Sequence, residues 1–212
     1  MIKNRTEAGR QLVEKLQERV KGKDVIVLAI PRGGVVVGAE IAKRLGCILD
    51  VIIAKKITPP DNPEYAIGAI THDGTIYYGP HWKQFSQDPN LETEITRKKL
   101  EVKKRLKNFR MDDNYKIDGK TIILVDDGIA TGATVFVLLK WLSKRNVESI
   151  ILAIPVIPAN TYEDMKPMVN SIVALQIPSE FHSVGEFYHN FDQVSDEEVI
   201  DILKLIQKQS GS

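Results

Sequence analysis

Apolar residues recur along this chain with two periods. Ala8, Leu12, Leu16 and Val20 repeat every fourth position and predict an amphipathic helix, capped by Thr6 and closed at Gly22. Residues 25–30 are then continuously apolar, too short a run for a helix and suited to a strand buried on both faces. A helix over 35–45 stopping at Gly46, and a strand over 48–54 ending in Lys55 and Lys56, complete a β-α-β unit whose crossover should be right-handed. Residues 57–63 carry three prolines and exclude regular structure, while 65–70 and 75–78 around His72, Asp73 and Gly74 read as a hairpin or bent strand.

The alternation continues towards the C-terminus. Residues 91–110 predict a charged helix with Ile95, Val102, Leu106 and Phe109 as its stripe, either a solvated face or a subunit contact in a homodimer. Strands are expected at 121–125, 149–154 and 172–175, with helices at 135–142 and 159–168. Ser195 and Glu198 form a capping box ahead of a last helix through Val199, Ile202, Leu203 and Ile206, followed by a polar tail from Gln209. Strands alternating with helices define an α/β fold with a parallel sheet.

Composition narrows the class. A chain of 212 residues with 43% hydrophobic and 27% charged residues can bury a real core and is not disordered. With 29 Lys and Arg against 28 Asp and Glu, the net charge of +1 supplies no general attraction to nucleic acid. The single cysteine, Cys47, excludes an internal disulfide and reads as a packed thiol in a reducing compartment. The sequence shows neither a signal peptide nor a transmembrane run, so a cytoplasmic protein is expected.

The chemistry gathers at residues 121–134, T-I-I-L-V-D-D-G-I-A-T-G-A-T. Asp126 and Asp127 stand at a strand end. Gly128, Thr131, Gly132 and Thr134 then lead into a helix, a loop of free N–H groups, hydroxyls and glycines suited to a phosphate. Two neighbouring carboxylates can accept hydrogen bonds from two vicinal hydroxyls or hold the waters of a magnesium ion. A phosphate beside a diol describes ribose 5-phosphate. The bland reading, a solvated strand end and a helix cap, stands against it. Neither G-x-x-x-x-G-K-[ST] nor G-x-G-x-x-G occurs, which speaks against a triphosphatase and a dinucleotide fold.

The run V-D-D-G-I-A-T-G-A-T, residues 125–134, resembles the phosphoribosyl-pyrophosphate (PRPP) motif of the type I phosphoribosyltransferases. More narrowly, the whole chain is similar to a group of bacterial and archaeal phosphoribosyltransferases. The resemblance implies that fold, with helices on both faces of its sheet and a small C-terminal hood: a core over 1–175, in which 91–110 is a charged helical insertion, and a hood with the last helix over 176–212. It implies that Asp126 and Asp127 hold the ribose hydroxyls and that Ala130, Thr131, Gly132, Ala133 and Thr134 wrap the 5-phosphate. Mg2+ would be held mainly by PRPP, with the two acids reaching it through water.

After the first strand, Arg32, Gly33 and Gly34 follow Pro31 and suit a second anionic group, which the resemblance makes the pyrophosphate. The family often turns here through a strained peptide, so a non-proline cis bond is expected between Pro31 and Arg32. Residues 57–63 fall where the family has a mobile loop; Lys55 or Lys56 reaches the pyrophosphate, or both are solvated. Phe181, Phe187, Tyr188 and Asp192 lie in an aromatic segment, 176–192, that is either a pocket wall for a flat nitrogen heterocycle or a staple for the last helix. Ala130 stands where hypoxanthine-guanine enzymes carry an acid, so a 6-oxopurine is disfavoured unless Glu186 or Asp192 substitutes. The resemblance implies transfer of the 5-phosphoribosyl group with release of pyrophosphate; the alternative is a regulatory module that binds PRPP or a nucleotide without transfer.

Overall fold

The computed structural model describes residues 1–59, 62 and 65–210. In chain order its elements are α1 (Arg5–Val20), β1 (Val25–Ala29), α2 (Gly33–Leu45), β2 (Ile48–Val51), β3 (Ala54–Ile57), β4 (Gly68–Thr71) and β5 (Ile76–Tyr78). They continue as α3 (Trp82–Phe85), α4 (Leu91–Phe109), β6 (Thr121–Val125), α5 (Ala133–Leu142), β7 (Ser149–Val156), α6 (Ala159–Met165), β8 (Ser171–Gln176) and α7 (Asp196–Ser210). Short 3-10 turns occupy Lys166–Met168 and Val184–Phe187. The chain packs as two compact units: residues 1–52, 116–131 and 145–212 form the first, and 53–115 with 132–144 the second.

The first unit is built on a five-stranded parallel sheet in the order β2-β1-β6-β7-β8. Its central strands carry apolar side chains at nearly every position because both faces are covered: β1, β6 and β7 are buried throughout. Helix α1 buries Ala8, Leu12, Leu16 and Val20, the stripe seen in the sequence, and packs along α2. Its cap is Asn4 rather than Thr6: Asn4 Oδ1 accepts from the Glu7 N–H at 2.9 Å, so the helix is already under way where the threonine would only begin it. Helix α2 stops where expected, at Gly46 with φ +64°, a left-handed residue that glycine adopts without steric cost. The capping box of α7 is realised in both directions, Ser195 N to Glu198 Oε2 at 2.7 Å and Glu198 N to Ser195 Oγ at 3.1 Å. Residues 176–212 pack within this unit, and α7 runs to Ser210, past the tail expected from Gln209.

The second unit has its own antiparallel sheet, β3-β4-β5. The strand expected over 48–54 is therefore two strands. Val51 ends β2, and after Ile52 and Ile53 the chain enters β3, so Lys55 and Lys56 sit inside an antiparallel strand instead of at a parallel strand's end. The hairpin expected around Gly74 is β4-β5. Ile57, Ile67, Ile70 and Leu91 form one core cluster, and Ile53, Val102 and Leu106 another beneath α4. On α4, Arg97 bridges Glu94 and Glu101. Trp141 of α5 is buried and donates Nε1–H to Asp73 Oδ2 at 3.0 Å. In the proline-rich stretch 57–63, Pro60, Asp61 and Pro63 lie outside the described residues.

Candidate active site

Strands β1 and β6 are neighbours, with Ala29 opposite Val125, and the Ile30 N–H continues the ladder to Val125 O at 2.8 Å. The loops leaving them therefore emerge side by side, as the strand order of a doubly wound sheet requires of a binding crevice. The Pro31–Arg32 peptide is cis. Helix α2 starts immediately afterwards, bringing Gly33 and Gly34 against the acids: a Cβ on Gly33 would lie 1.8 Å from Asp127 Oδ2, and one on Gly34 2.9 Å from Asp126 Cα. The two glycines are thus required for room as well as for exposed amides.

Each acid has one carboxylate oxygen held by a donor from the protein. Asp126 Oδ1 accepts from the Asp127 N–H at 2.8 Å, and Asp127 Oδ2 accepts from Arg5 Nε at 2.7 Å. The second oxygens, Asp126 Oδ2 and Asp127 Oδ1, take no bond from any other residue among the described residues, and the two carboxyl groups lie within hydrogen-bonding reach of each other. Burial pushes the Asp126 carboxyl well above the usual carboxylate range, and the charge of Asp127 pushes it further the same way. The Tyr188 hydroxyl donates to the Asp127 carbonyl at 2.7 Å, and its burial, followed by the charge of Asp127, raises the phenol's pKa.

A cleft of about 460 Å3 opens here, bordered by Arg5, Arg32, Asp126, Asp127, Val184 and Phe191 among others. Gly128 packs under the C-terminal segment so closely that a Cβ would lie 2.3 Å from Val184 Cγ1. Arg32 Nη1 stands 3.8 Å from Asp196 Oδ1 at the start of α7. A second cleft, of about 560 Å3, lies at the N-terminal ends of β1 and β2 beside Gly46 and Cys47 and contains none of these groups.

The expected residues divide. Arg32, Asp126 and Asp127 border the cleft with Gly33. In the following loop, Ile129 N–H is held by Val156 O at 2.9 Å, while Ala130 and Thr131 are exposed at the first unit's edge. The second unit resumes with Gly132, φ +73°, and α5 starts at Ala133; Phe136 is the first residue to donate back, to Gly132 O at 2.8 Å, so the N–H groups of the first turn, at Ala133, Thr134 and Val135, have no partner within the helix. In the second unit, Lys55 Nζ is bound to Glu101 Oε2 at 2.5 Å, which also holds the Glu101 carboxyl below its usual range. Of the aromatics, Phe181 and Phe187 stack on each other, centroids 5.8 Å apart, and do not border the cleft. Tyr188 is buried with its hydroxyl committed, which makes it a support for the acids and not an open stacking face. Asp192 contributes its carbonyl, to Arg5 Nη1 at 2.7 Å, and its side chain does not border the cleft.

Sequence reasoning missed Arg5 and Gln193, which border the cleft; Val184 and Phe191, which border it too, fall inside the segment 176–192 expected as a pocket wall or a staple. The expected cap at Thr6 leaves Arg5 outside the helix; with the cap at Asn4, Arg5 is a cation in the first turn, opposed by the helix dipole, and its partner is Asp127.

The chain belongs to the phosphoribosyl transferase domain family, which matches it over residues 1–191. Two curated proteins of Mycobacterium tuberculosis, from strains CDC 1551 and H37Rv and both named putative phosphoribosyl transferase, are 36% identical over 211 residues. That similarity covers 96% of this chain and 46% of theirs, so the chain spans about half the length of these relatives. The crystal structure of TT1426 from Thermus thermophilus is similar with a TM-score of 0.80 at 35% identity, covering 95% of this chain and 97% of that one. A hypoxanthine phosphoribosyltransferase from Staphylococcus aureus shares the fold alone, with a TM-score of 0.51 at 15% identity over 84% of this chain and 74% of its own. The type I phosphoribosyltransferase fold with its parallel five-stranded sheet is thereby established.

Proposed function

We propose that this chain binds PRPP in the cleft at the ends of β1 and β6 and transfers its 5-phosphoribosyl group to a ring nitrogen of a flat heterocycle, releasing pyrophosphate. The observation that carries the reading is the second oxygen on each of two adjacent acids, Asp126 Oδ2 and Asp127 Oδ1, which takes no bond from any other residue among the described residues: one for each hydroxyl of a vicinal diol. Gly128, Ala130 and Thr131 follow them in the same unit and are assigned to the 5-phosphate on the family resemblance, whose motif continues in sequence through Gly132, Ala133 and Thr134. Arg32 and the amides of Gly33 and Gly34 are assigned to the pyrophosphate, where the guanidinium would exchange its 3.8 Å approach to Asp196 for a phosphate.

The reaction displaces pyrophosphate from the anomeric carbon through a transition state with oxocarbenium character. The protein's share of the work is orientation and preorganised charge. Asp126 and Asp127 fix the ribose and lie near the positive charge that develops on it, while Arg32 offsets negative charge on the leaving group.

The donor set fits Mg2+ in one manner. Among the described residues no group of three or more His, Cys, Asp or Glu side chains could cage a metal ion. Two neighbouring carboxylates acting through water, with the ligand's own phosphate oxygens completing the shell, match the way Mg2+ is ordinarily held. When bound, the ion would neutralise pyrophosphate charge.

Among the described residues no helix is long and apolar enough to cross a membrane. The lone Cys47 supports the further reading of a cytoplasmic protein. The experiment is direct: pure protein with Mg2+, PRPP and a panel of nucleobases, assayed for pyrophosphate. Release that depends on one heterocycle supports transfer. PRPP binding without release under any acceptor rejects transfer in favour of a binding module, and no PRPP binding rejects the site.

A further inference from the structure

Arg5 makes three contacts with one planar group. Nε donates to Asp127 Oδ2 at 2.7 Å, Nη1 donates to the Asp192 carbonyl at 2.7 Å, and the guanidinium carbon lies 3.9 Å from the centroid of the Phe191 ring. The side chain is nearly enclosed, with 11% of its surface exposed against 17% for Asp127, so the ion pair is shielded from the screening that makes surface pairs weak. Enclosing a cation this way is costly unless its donors are used in good geometry. Here two of them are, and the planar face is covered by an aromatic ring, an arrangement that suits arginine and not lysine.

The three partners come from separate stretches of chain. Asp127 follows β6, Phe191 and Asp192 belong to the segment between the Val184–Phe187 turn and α7, and Arg5 opens α1. That opening is itself anchored: Ile2 N–H donates to Phe187 O at 2.8 Å, His189 N–H to Ile2 O at 2.9 Å and Asn190 N–H to Lys3 O at 3.0 Å. Residues 2–5 thus lie beside the C-terminal segment in a two-way hydrogen-bonded pairing, and the arginine at their end reaches across to the acid. Asp127 is held from two sides, its carboxylate by Arg5 and its carbonyl by Tyr188.

We propose that Arg5 is a positioning residue for the ribose: by occupying Asp127 Oδ2 it fixes the carboxylate so that Oδ1 is the oxygen offered to a hydroxyl, and by stacking on Phe191 it sets the C-terminal wall of the same cleft. This rests on the assignment of the two acids to the ribose hydroxyls. A carboxylate free to rotate would offer either oxygen in many orientations, and its diol contact would bear the entropy of ordering it on every binding event. A residue that served stability alone would carry no preference for the part of the ligand that contains the ribose.

Calorimetric titrations of Mg2+-PRPP and of Mg2+-pyrophosphate, on wild type, Arg5→Ala, Arg5→Lys and Asp127→Asn, separate these cases. Expected are a tenfold or greater loss of PRPP affinity in Arg5→Ala, pyrophosphate affinity within twofold of wild type, and only partial recovery of PRPP affinity in Arg5→Lys, because one ammonium cannot hold both the carboxylate and the Asp192 carbonyl while stacking. Should Arg5→Ala not fold, by circular dichroism, Arg5→Gln takes its place with the same expected loss. If Asp127→Asn weakens PRPP and the Arg5 variants leave it unchanged, or weaken PRPP and pyrophosphate alike, the positioning role is overturned while the ribose site stands. If Asp127→Asn itself binds PRPP as wild type does, the ribose assignment falls and this inference with it.

Discussion

Gly33 and Asp127 are in contact across the two loops that leave β1 and β6: the space a Cβ on Gly33 would need is filled by Asp127 Oδ2, 1.8 Å away. Asp127 Cγ at 2.5 Å and Arg5 Nε at 2.6 Å are near as well, so a methyl group here would push on both members of the ion pair at once. Gly33→Ala is therefore expected to displace the Asp127 carboxylate from Arg5. Overpacking of this kind costs about 1–3 kcal/mol, which should appear as a lowered midpoint in urea unfolding together with loss of measurable PRPP binding. A variant with wild-type stability and affinity would show that the contact yields freely.

The acids themselves should dominate affinity for a ribose phosphate. A hydrogen bond to a charged group such as Asp127 contributes about 1.5–3 kcal/mol and one to a carboxyl held neutral about 0.5–1.5 kcal/mol, so Asp126→Asn combined with Asp127→Asn is expected to weaken Mg2+-PRPP by at least about thirtyfold. Calorimetry that returns equal affinities for the double variant and wild type would remove the pair from the binding site.

For the heterocycle, an aromatic that borders the cleft should matter and aromatics that do not should matter less. Phe191→Leu, which also removes the ring that Arg5 stacks on, is expected to raise the acceptor's Michaelis constant several-fold and to weaken PRPP with it, since loss of a stacked ring costs about 0.5–1.5 kcal/mol beyond its area. Phe181→Leu and Phe187→Leu, which separate two rings stacked on each other, are expected to change stability more than that constant. The reverse order in steady-state kinetics would return the acceptor site to Phe181 and Phe187.

Cys47 should be a slow nucleophile. Burial pushes its thiol from the ordinary value of 9.0 up to about 11, so at a pH of about 8 the thiol remains protonated in the fold. A rise of about two units cuts the reactive thiolate fraction about a hundredfold. Iodoacetamide labelling at that pH should accordingly be far slower for the folded chain than for the urea-unfolded chain, with the folded rate climbing as pH approaches about 11. Equal rates would mean that the thiol is not enclosed.

What the sequence made legible was local or repeated. The apolar run of β6, the stop of α2 at Gly46, the capping box of Ser195 and Glu198 and the glycines after the first strand each follow from a few adjacent residues and the backbone geometry they prefer. What it hid depended on which distant segments meet. Arg5 and Asp127 are partners only because the N-terminal stretch pairs with residues 187–190. The split of residues 48–57 into β2 and β3 depends on β4 pairing with β3, which no period within the run reveals. Phe191 and Phe187 look alike in sequence, and only the guanidinium over one of them tells them apart.

The Ile30 amide, bonded to Val125 O at 2.8 Å, sits at the last rung of the β1-β6 ladder, immediately before Pro31 on one strand and Asp126 on the other. These strands are far apart in sequence, so closing that rung requires a long loop to be ordered first, a step that slow-folding, non-local topologies share. The recognition surface is consequently absent from any partly folded chain in which β1 and β6 have not met. Its lifetime is that of the sheet's centre, and hydrogen–deuterium exchange at Ile30 should slow to the rate of whole-unit opening, in step with the central residues of β6 and β7.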